Sequence, residues 1–278
     1  MLVTFFSLLS CGLAAQAVEV SRVLPNGLVA QAEFRRGAAD KPVVVLLHGF
    51  LQTHHFPTIH NLTENLADEG YSVLAPTLSL NTPNRSKSMA CEALHSHTVK
   101  SGVTELGVWV KWLKAQGYRQ IVLSGHSLGN VINVAYLLNR PDPAIRKFIG
   151  ISIMEARLKM PENERQALLQ QLQSKVATGD RRMVETPFSF CQKFRSTPES
   201  VLSYMAWGPQ HILDGIANIR VPTTMIMGSR DDRLGPEWAA RLQATHARVI
   251  IVEGANHFMD GQYEFDLFEH MRTELKGL

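Results

Sequence analysis

The feature that most constrains the fold is an alternation of short, continuous apolar runs with segments of helical periodicity. Six runs rich in Val, Ile, Leu and Met lie at residues 43–47, 72–75, 121–123, 148–153, 223–227 and 249–252. They lack a period of two, which is typical of strands covered on both faces. Between them, apolar residues recur at steps of three or four, as at Val103, Leu106, Val110 and Leu113. This alternation predicts an α/β fold with a mostly parallel central sheet flanked by helices.

Simpler signals describe the edge of the sheet and the class of protein. Residues 18–23 and 28–34 flank an Asn26-Gly27 turn and predict an antiparallel hairpin. Hydrophobic residues make up 45% of the 278 positions and charged residues 19%, which excludes intrinsic disorder. The formal net charge is only +3, and the Lys and Arg residues do not cluster in long runs, so no nucleic-acid partner is expected. No apolar stretch reaches 18 residues, so no membrane span is expected, and the oligomeric state stays open.

One segment interrupts the alternation. Residues 154–215 contain no strong strand pattern, and a helical pattern begins at Pro161. Thr197 is followed by a proline and a glutamate, the residue types of a helix start. We therefore expect a helical insertion, or cap, at 154–215. It would lie above an α/β core formed by residues 18–153 and 216–278.

The first residues predict export. Residues 1–17 carry no charged side chain, contain an apolar run, and end on Ala15-Gln16-Ala17, whose small residues suit a signal peptidase. We expect cleavage near Ala17 and a periplasmic or secreted protein. Lipid attachment at Cys11, which follows Leu8-Leu9-Ser10, is the alternative.

Cysteine content agrees with this prediction. Removal of residues 1–17 leaves two cysteines, Cys91 and Cys191. In an oxidising compartment they could form a disulfide between a core loop and the insertion. Two independent buried thiols fit the sequence equally well, because sequence does not place their Cα atoms within bridging distance.

The strongest chemical signal is Gly125-His126-Ser127-Leu128-Gly129, directly after the run at 121–123 and before a helical stretch. A sharp turn between strand and helix would lift the Ser127 side chain above the sheet. Small residues two positions to either side, Gly125 and Gly129, are what such a turn requires. The following helix would point its positive end at the site and favour a developing oxyanion.

A second signal is His48-Gly49-Phe50, after the run at 43–47. Gly49 would let the backbone approach a substrate closely. The amide of Phe50 could then donate to the same oxygen as the amide of Leu128 and complete an oxyanion hole. His48 is expected to order this loop rather than to transfer protons.

A serine needs a base to remove its proton, and an imidazole held by a carboxylate supplies one. Asp231 follows the strand run at 223–227, and His257 follows the run at 249–252. Both would therefore lie at the same edge of the sheet as Ser127, in the chain order Ser, Asp, His. Asp232 is the competing acid. Because neighbouring side chains point differently, only one of the two is expected to reach the imidazole.

These motifs resemble the α/β-hydrolase fold of the serine-hydrolase type over nearly the whole mature chain. The resemblance implies Ser127 as nucleophile, Asp231 as acid, His257 as base, and the amides of Phe50 and Leu128 as oxyanion donors. It also implies a small-molecule, ester-type substrate, an acyl-enzyme intermediate and no cofactor or metal. A carboxylesterase is the generic expectation. Thioesterases, lipases and peptidases use the same groups, and a binding protein without turnover is the alternative from another class.

Two further groups of residues are interpreted mainly as structural. Five histidines in the first half are expected to be solvated loop residues rather than metal ligands, although the spacing of His95 and His97 would suit a metal: His54, His55, His60, His95 and His97. His126 is expected to be structural. The insertion also holds large apolar residues that either pack the cap on the core or line a partly apolar pocket: Leu158, Met160, Met183, Phe188, Phe190, Phe194, Tyr204, Met205 and Trp207.

Overall fold

The computed structural model describes residues 16–155 and 160–278. The predicted signal peptide up to residue 15, the Cys11 alternative and Leu158 lie outside the described residues. The strands are β1 (Ala17–Val23), β2 (Val29–Arg35), β3 (Val43–Leu47), β4 (Ser72–Thr77), β5 (Ile121–His126), β6 (Ile145–Ile151), β7 (Val184–Phe188), β8 (Cys191–Ser196), β9 (Thr223–Gly228) and β10 (Arg248–Val252). The helices are α1 (Pro57–Asp68), α2 (Val99–Ala115), α3 (Gly129–Asn139), α4 (Glu162–Ala177), α5 (Pro198–Met205), α6 (Pro209–Asn218), α7 (Trp238–Gln243) and α8 (Tyr263–Leu275).

Eight strands form one sheet in the order β1-β2-β4-β3-β5-β6-β9-β10. The hairpin β1–β2 is antiparallel, β2 is antiparallel to β4, and all pairs from β4 to β10 are parallel. The prediction of a mostly parallel sheet with an antiparallel edge hairpin is confirmed. Parallel pairing brings the carboxyl ends of β3, β5, β9 and β10 to one edge, where the site lies.

The central strands are covered on both faces, as their unbroken apolar runs predict. All five residues of β3 are buried. Val43, Val45 and Leu47 pack with residues of α2, α3 and α6 on one face. Val44 and Leu46 pack with residues of α1 and α8 on the other. This double burial holds the strand ends, and the loops that leave them, in place.

The segment between β6 and β9 holds α4, the hairpin β7–β8, α5 and α6. The hairpin departs from the expected helical insertion. In β8, Phe194 and Ser196 are buried whereas Lys193 and Arg195 are exposed. A strand that is buried on one face only contains no continuous apolar run, which is the pattern that predicted the core strands.

The start of α5 within the insertion was predicted from its N-cap residue. The Thr197 hydroxyl accepts a hydrogen bond from the Ser200 amide at 3.2 Å, and Pro198 occupies the first turn of α5. The helix start predicted at Thr197 is therefore confirmed. Within residues 16–155 and 160–278, no helix is long and apolar enough to cross a bilayer.

Candidate active site

Ser127 lies at the turn between β5 and α3. Its φ is 54°, in the left-handed region that a non-glycine residue rarely adopts. A Cβ on Gly125 would lie 2.9 Å from the Asn133 side-chain nitrogen Nδ2, and one on Gly129 would lie 2.6 Å from the His48 carbonyl oxygen. The two glycines are thus required by close contacts on either side of the serine, as the motif predicted.

The loop after β10 brings an imidazole to this serine. His257 Nε2 lies 3.0 Å from Ser127 Oγ, and His257 Nδ1 lies 2.7 Å from Asp231 Oδ2. The side chains of His257 and Asp231 are 4% and 1% exposed. Three residues up to 130 positions apart in the chain therefore form one hydrogen-bonded series at the strand ends.

The structure distinguishes between the two adjacent aspartates. Asp231 reaches His257 with one carboxylate oxygen, and its other oxygen accepts a hydrogen bond from the Arg233 amide at 3.1 Å. Asp232 is exposed. The neighbouring side chains point in different directions, as expected, and the one in contact with the imidazole is Asp231.

His126 supports the imidazole from behind. Its Nε2 donates to the His257 carbonyl oxygen at 2.9 Å, and its ring lies 4.9 Å from the His257 ring. Burial, with a further contribution from His257, lowers the pKa of His126 to about 3. His126 is therefore neutral near pH 7, and the bond to a carbonyl places its proton on Nε2. The structural role expected for His126 therefore consists of this contact, which no sequence pattern indicates.

The loop after β3 lies against the turn at Ser127. Phe50 and Leu128 line one cavity together with Gly49 and Gly129. Among the described residues, neither the Phe50 amide nor the Leu128 amide donates a hydrogen bond to a protein acceptor. Two amides without a protein acceptor, one of them in the residue that follows the serine, are compatible with the oxyanion hole that the sequence predicted.

His48 orders this loop through a buried network. Its Nδ1 donates to the Gly49 carbonyl oxygen at 2.7 Å, and its Nε2 accepts from the Leu78 amide and the Arg85 guanidinium, both at 3.0 Å. Burial and the Arg85 charge hold the pKa of His48 well below its usual range, so it is neutral. Arg85 also donates to the Gln52 carbonyl oxygen at 2.7 Å. No motif surrounds Arg85, so no local sequence pattern indicates this role.

The insertion covers the loop through an aromatic cluster centred on Phe50. Its ring lies 5.2 Å from Phe188, 5.3 Å from Phe194 and 5.9 Å from Tyr204. All three are buried, so these cap residues pack against the core rather than face solvent. A disulfide between Cys91 and Cys191, with Cα atoms 5.5 Å apart, ties the hairpin to the loop before α2.

The expectation of solvated histidines is wrong for His54, His95 and His97, which are buried. His95 stacks on Phe194 with ring centroids 4.5 Å apart, and His97 Nδ1 lies 2.6 Å from the Tyr204 hydroxyl. The hairpin β7–β8 and α5 cover this loop. A sequence does not reveal which loops a distant segment will cover, so hydropathy alone suggested exposure. His55 is exposed and His60 is partly exposed.

The fold has many counterparts among solved structures. An esterase from Thermogutta terrifontis superposes with a TM-score of 0.61 at 20% identity, covering 94% of this chain and 98% of that one. A monoacylglycerol lipase from Paleococcus ferrophilus gives 0.64 at 18%, covering 94% and 98%. An esterase from Exiguobacterium antarcticum gives 0.65 at 18%, covering 92% and 99%. At these identities the likeness concerns the fold alone.

The sequence itself provides the family assignment. No curated protein matches the chain. Residues 44–265, however, match the model of the Alpha/beta hydrolase family. This range runs from β3 into α8 and includes the turn at Ser127, Asp231 and His257. The protein therefore belongs to the alpha/beta hydrolase family and is a hydrolase by fold.

Proposed function

We propose that this hydrolase is a serine carboxylesterase that cleaves an ester bond through an acyl-enzyme intermediate. The observation that carries the proposal is the hydrogen-bonded series from Asp231 Oδ2 through His257 to Ser127 Oγ, at 2.7 and 3.0 Å. The Nε2–Oγ distance is within the range in which a base can take the serine proton, and the Nδ1–Oδ2 distance lets the carboxylate orient the imidazole. Solved structures of the same fold include esterases and a lipase, which agrees with this chemistry.

The first step forms the acyl-enzyme. Ser127 Oγ attacks the ester carbonyl carbon while His257 Nε2 takes its proton, and Asp231 holds Nδ1–H and stabilises the imidazolium. The amides of Phe50 and Leu128 donate to the oxyanion. As the tetrahedral intermediate collapses, the bond to the alcohol oxygen breaks, and the imidazolium gives its proton to the leaving alcohol.

The second step returns the enzyme to its starting state. A water molecule gives a proton to His257 Nε2 and attacks the acyl carbon. The bond to Ser127 Oγ breaks, the serine regains its proton from the imidazolium, and a carboxylic acid leaves. Each proton that moves is held by His257, Ser127, water or the substrate.

A partly apolar substrate is supported by a groove in the insertion. The groove has a volume of about 640 Å³ and is lined by residues of α4, α5 and α6. The lining is mixed: it includes apolar Leu169 and Met205 and the charged pair Glu162 and Arg165. Phe188 lines it too and contacts Phe50 on its other side. One wall of the groove, Phe188, therefore packs against the proposed oxyanion loop, and the groove would take a partly apolar acyl or alcohol group.

The test combines active-site labelling with a matched pair of serine variants. We expect a fluorophosphonate probe to add one covalent label to the native protein and none to Ser127→Ala. Ser124→Ala, a change of a buried serine on the same strand, is the control and should keep both labelling and ester hydrolysis. A panel of p-nitrophenyl esters, thioesters and amides would then rank the substrate classes. Labelling of Ser127→Ala at the native rate would refute the proposed nucleophile.

We also propose that the protein is exported, with cleavage near Ala17. The Cys91–Cys191 disulfide supports this, because such bonds persist in oxidising compartments. Mass spectrometry of the protein recovered from its native host tests it. A mature chain that begins near Val18 is expected, and a chain that retains Met1 would contradict it.

A further inference from the structure

A second polar site lies outside the groups that the proposed reaction uses. Glu33 on β2 faces His54 and His55, which lie between β3 and α1. The ligand atoms of these three side chains all lie within 4.8 Å of one another. They converge at the side of the sheet that α1 covers, and no step of the proposed ester hydrolysis involves them.

We propose that Glu33, His54 and His55 form a binding site for one divalent transition-metal cation of the zinc class. Two imidazoles and one carboxylate are a ligand set that zinc uses, with water in the remaining position. Magnesium and calcium prefer all-oxygen sites, so this set selects against them.

His54 is oriented as a metal ligand would be. Its side chain is 7% exposed. The Thr77 hydroxyl oxygen lies 2.6 Å from His54 Nδ1 and 3.2 Å from the His54 backbone amide nitrogen. Thr77 therefore orients the ring through Nδ1, while Nε2 is the ring nitrogen that faces Glu33. With Nδ1–H donating to this oxygen, Nε2 presents a lone pair. Metal-bound histidines are commonly oriented by such a partner on the other ring nitrogen.

The distance between His54 and Glu33 suits a bridging ion better than a direct bond. His54 Nε2 lies 3.9 Å from Glu33 Oε2, which is too long for a hydrogen bond. Two ligands of a tetrahedral zinc ion lie about 3.3 Å apart. A small closure would therefore give bonding distances to an ion between them, and the exposed ring of His55, 3.9 Å from the His54 ring, can move to join them.

The surrounding charges favour a cation. Arg35 donates to Glu33 Oε1 at 2.7 Å and to Glu64 Oε1 at 3.2 Å, which leaves Glu33 Oε2 available. One guanidinium thus faces two carboxylates.

The other histidine pair lacks these properties, which makes the choice specific. His95 Nε2 donates to the Ala90 carbonyl oxygen at 3.0 Å, and His97 Nδ1 is bonded to Tyr204. Their rings are perpendicular, with centroids 5.4 Å apart, and His95 is stacked on Phe194. The spacing of His95 and His97, which in the sequence would suit a metal, therefore belongs to two rings that pack against their neighbours. The convergent ligand atoms belong to the adjacent histidines 54 and 55.

The test is titration of the metal-free full-length protein with Zn²⁺ by calorimetry and with Co²⁺ by visible absorption. We expect one saturable site per chain and a rise in the thermal unfolding temperature with Zn²⁺. His55→Ala removes an exposed ring and should fold normally, yet weaken binding at least tenfold. Glu33→Gln should weaken it similarly, and His246→Ala, a change of an exposed histidine elsewhere, should not.

Two outcomes would overturn the site. One is the absence of saturable binding by the native protein. The other is equal affinity in the native protein, His55→Ala and Glu33→Gln. The site does not depend on the proposed esterase reaction. Ser127→Ala should therefore bind Zn²⁺ with native affinity, so a failure of the catalytic proposal would leave this result unchanged.

Discussion

The two sides of the candidate active site are built differently. On the core side, α3 buries eight of its eleven residues, and parallel strands hold the loops that carry Ser127, Asp231 and His257. On the cap side, α4 buries Leu172 alone among sixteen residues. There the hairpin β7–β8 is held by a disulfide and by rings around Phe50. The core positions the reacting groups through the backbone, whereas the cap is positioned by a few side chains.

The largest effect on the core side is expected when each of two adjacent carboxylates is replaced by an amide in a separate variant. Asp231→Asn should lower kcat by about 10⁴-fold, because His257 loses the partner that sets its tautomer and stabilises its cation. Asp232→Asn, at an exposed position, should change kcat by less than a few-fold. Steady-state hydrolysis of a p-nitrophenyl ester measures both. Similar losses in the two variants would contradict the assignment of Asp231.

Substitution of one glycine in the core and one in the insertion compares the two regions directly. Gly129→Ala would place a Cβ 2.6 Å from the His48 carbonyl oxygen and displace the loop that carries Phe50. We expect a 10²- to 10³-fold loss in kcat, the size of losing one oxyanion donor. Gly208→Ala, before α6 at the lining of the groove, meets nothing within 4 Å and should leave kcat for a short ester such as p-nitrophenyl acetate unchanged. Equal losses of kcat in the two variants would contradict the view that the core, and not the cap, positions the reacting groups.

Removal of the disulfide tests the cap side alone. The double change Cys91→Ser and Cys191→Ser should reduce the free energy of unfolding by about 2–4 kcal/mol, because the bridge closes a long loop in the unfolded chain. We expect kcat to fall by less than tenfold, since the triad residues lie in the core. Urea unfolding and ester hydrolysis measure the two quantities. A loss of kcat comparable to that of Asp231→Asn would show that the cap helps to position the reacting groups.

Acidification gives the smallest effect and concerns the contact between the regions. Burial, followed by the charges of His95 and Arg85, lowers the pKa of His97 to about 3. Between the ordinary pKa near 6.5 and this value, the unfolded chain binds a proton that the native state does not. The free energy of unfolding therefore falls as pH falls through this window. In His97→Gln this decline should be shallower by about 1.4 kcal/mol per pH unit.

Urea unfolding at pH 6 and pH 5 measures that difference, with His246→Gln as the exposed control. Glu105 acts in the opposite direction, because burial raises its pKa to about 7 despite hydrogen bonds from Ser79. Its contribution is the same in both proteins, so it cancels in the comparison. A decline of equal steepness in His97→Gln and the native protein would contradict a neutral, buried His97.

The extent of sequence-based prediction differs between the same two regions. In the core, apolar runs located the strands to within a few residues, because a strand covered on both faces must be apolar throughout. The turn at Ser127 was recognisable because its glycines are required by local contacts. In the insertion, the hairpin was not predicted, since Lys193 and Arg195 share a strand with Phe194. A one-sided strand resembles a polar loop in sequence.

The amino-acid sequence alone determined which residue types are available for the reaction and the edge of the sheet where they lie, because hydrophobic pattern and turn chemistry are local properties. Only the tertiary structure decided that Asp231 rather than Asp232 meets His257, that Arg85 braces His48, and which histidines are buried. These outcomes depend on contacts between segments far apart in the chain. The direction of a side chain and the cover over a loop are set by packing, which no local pattern records.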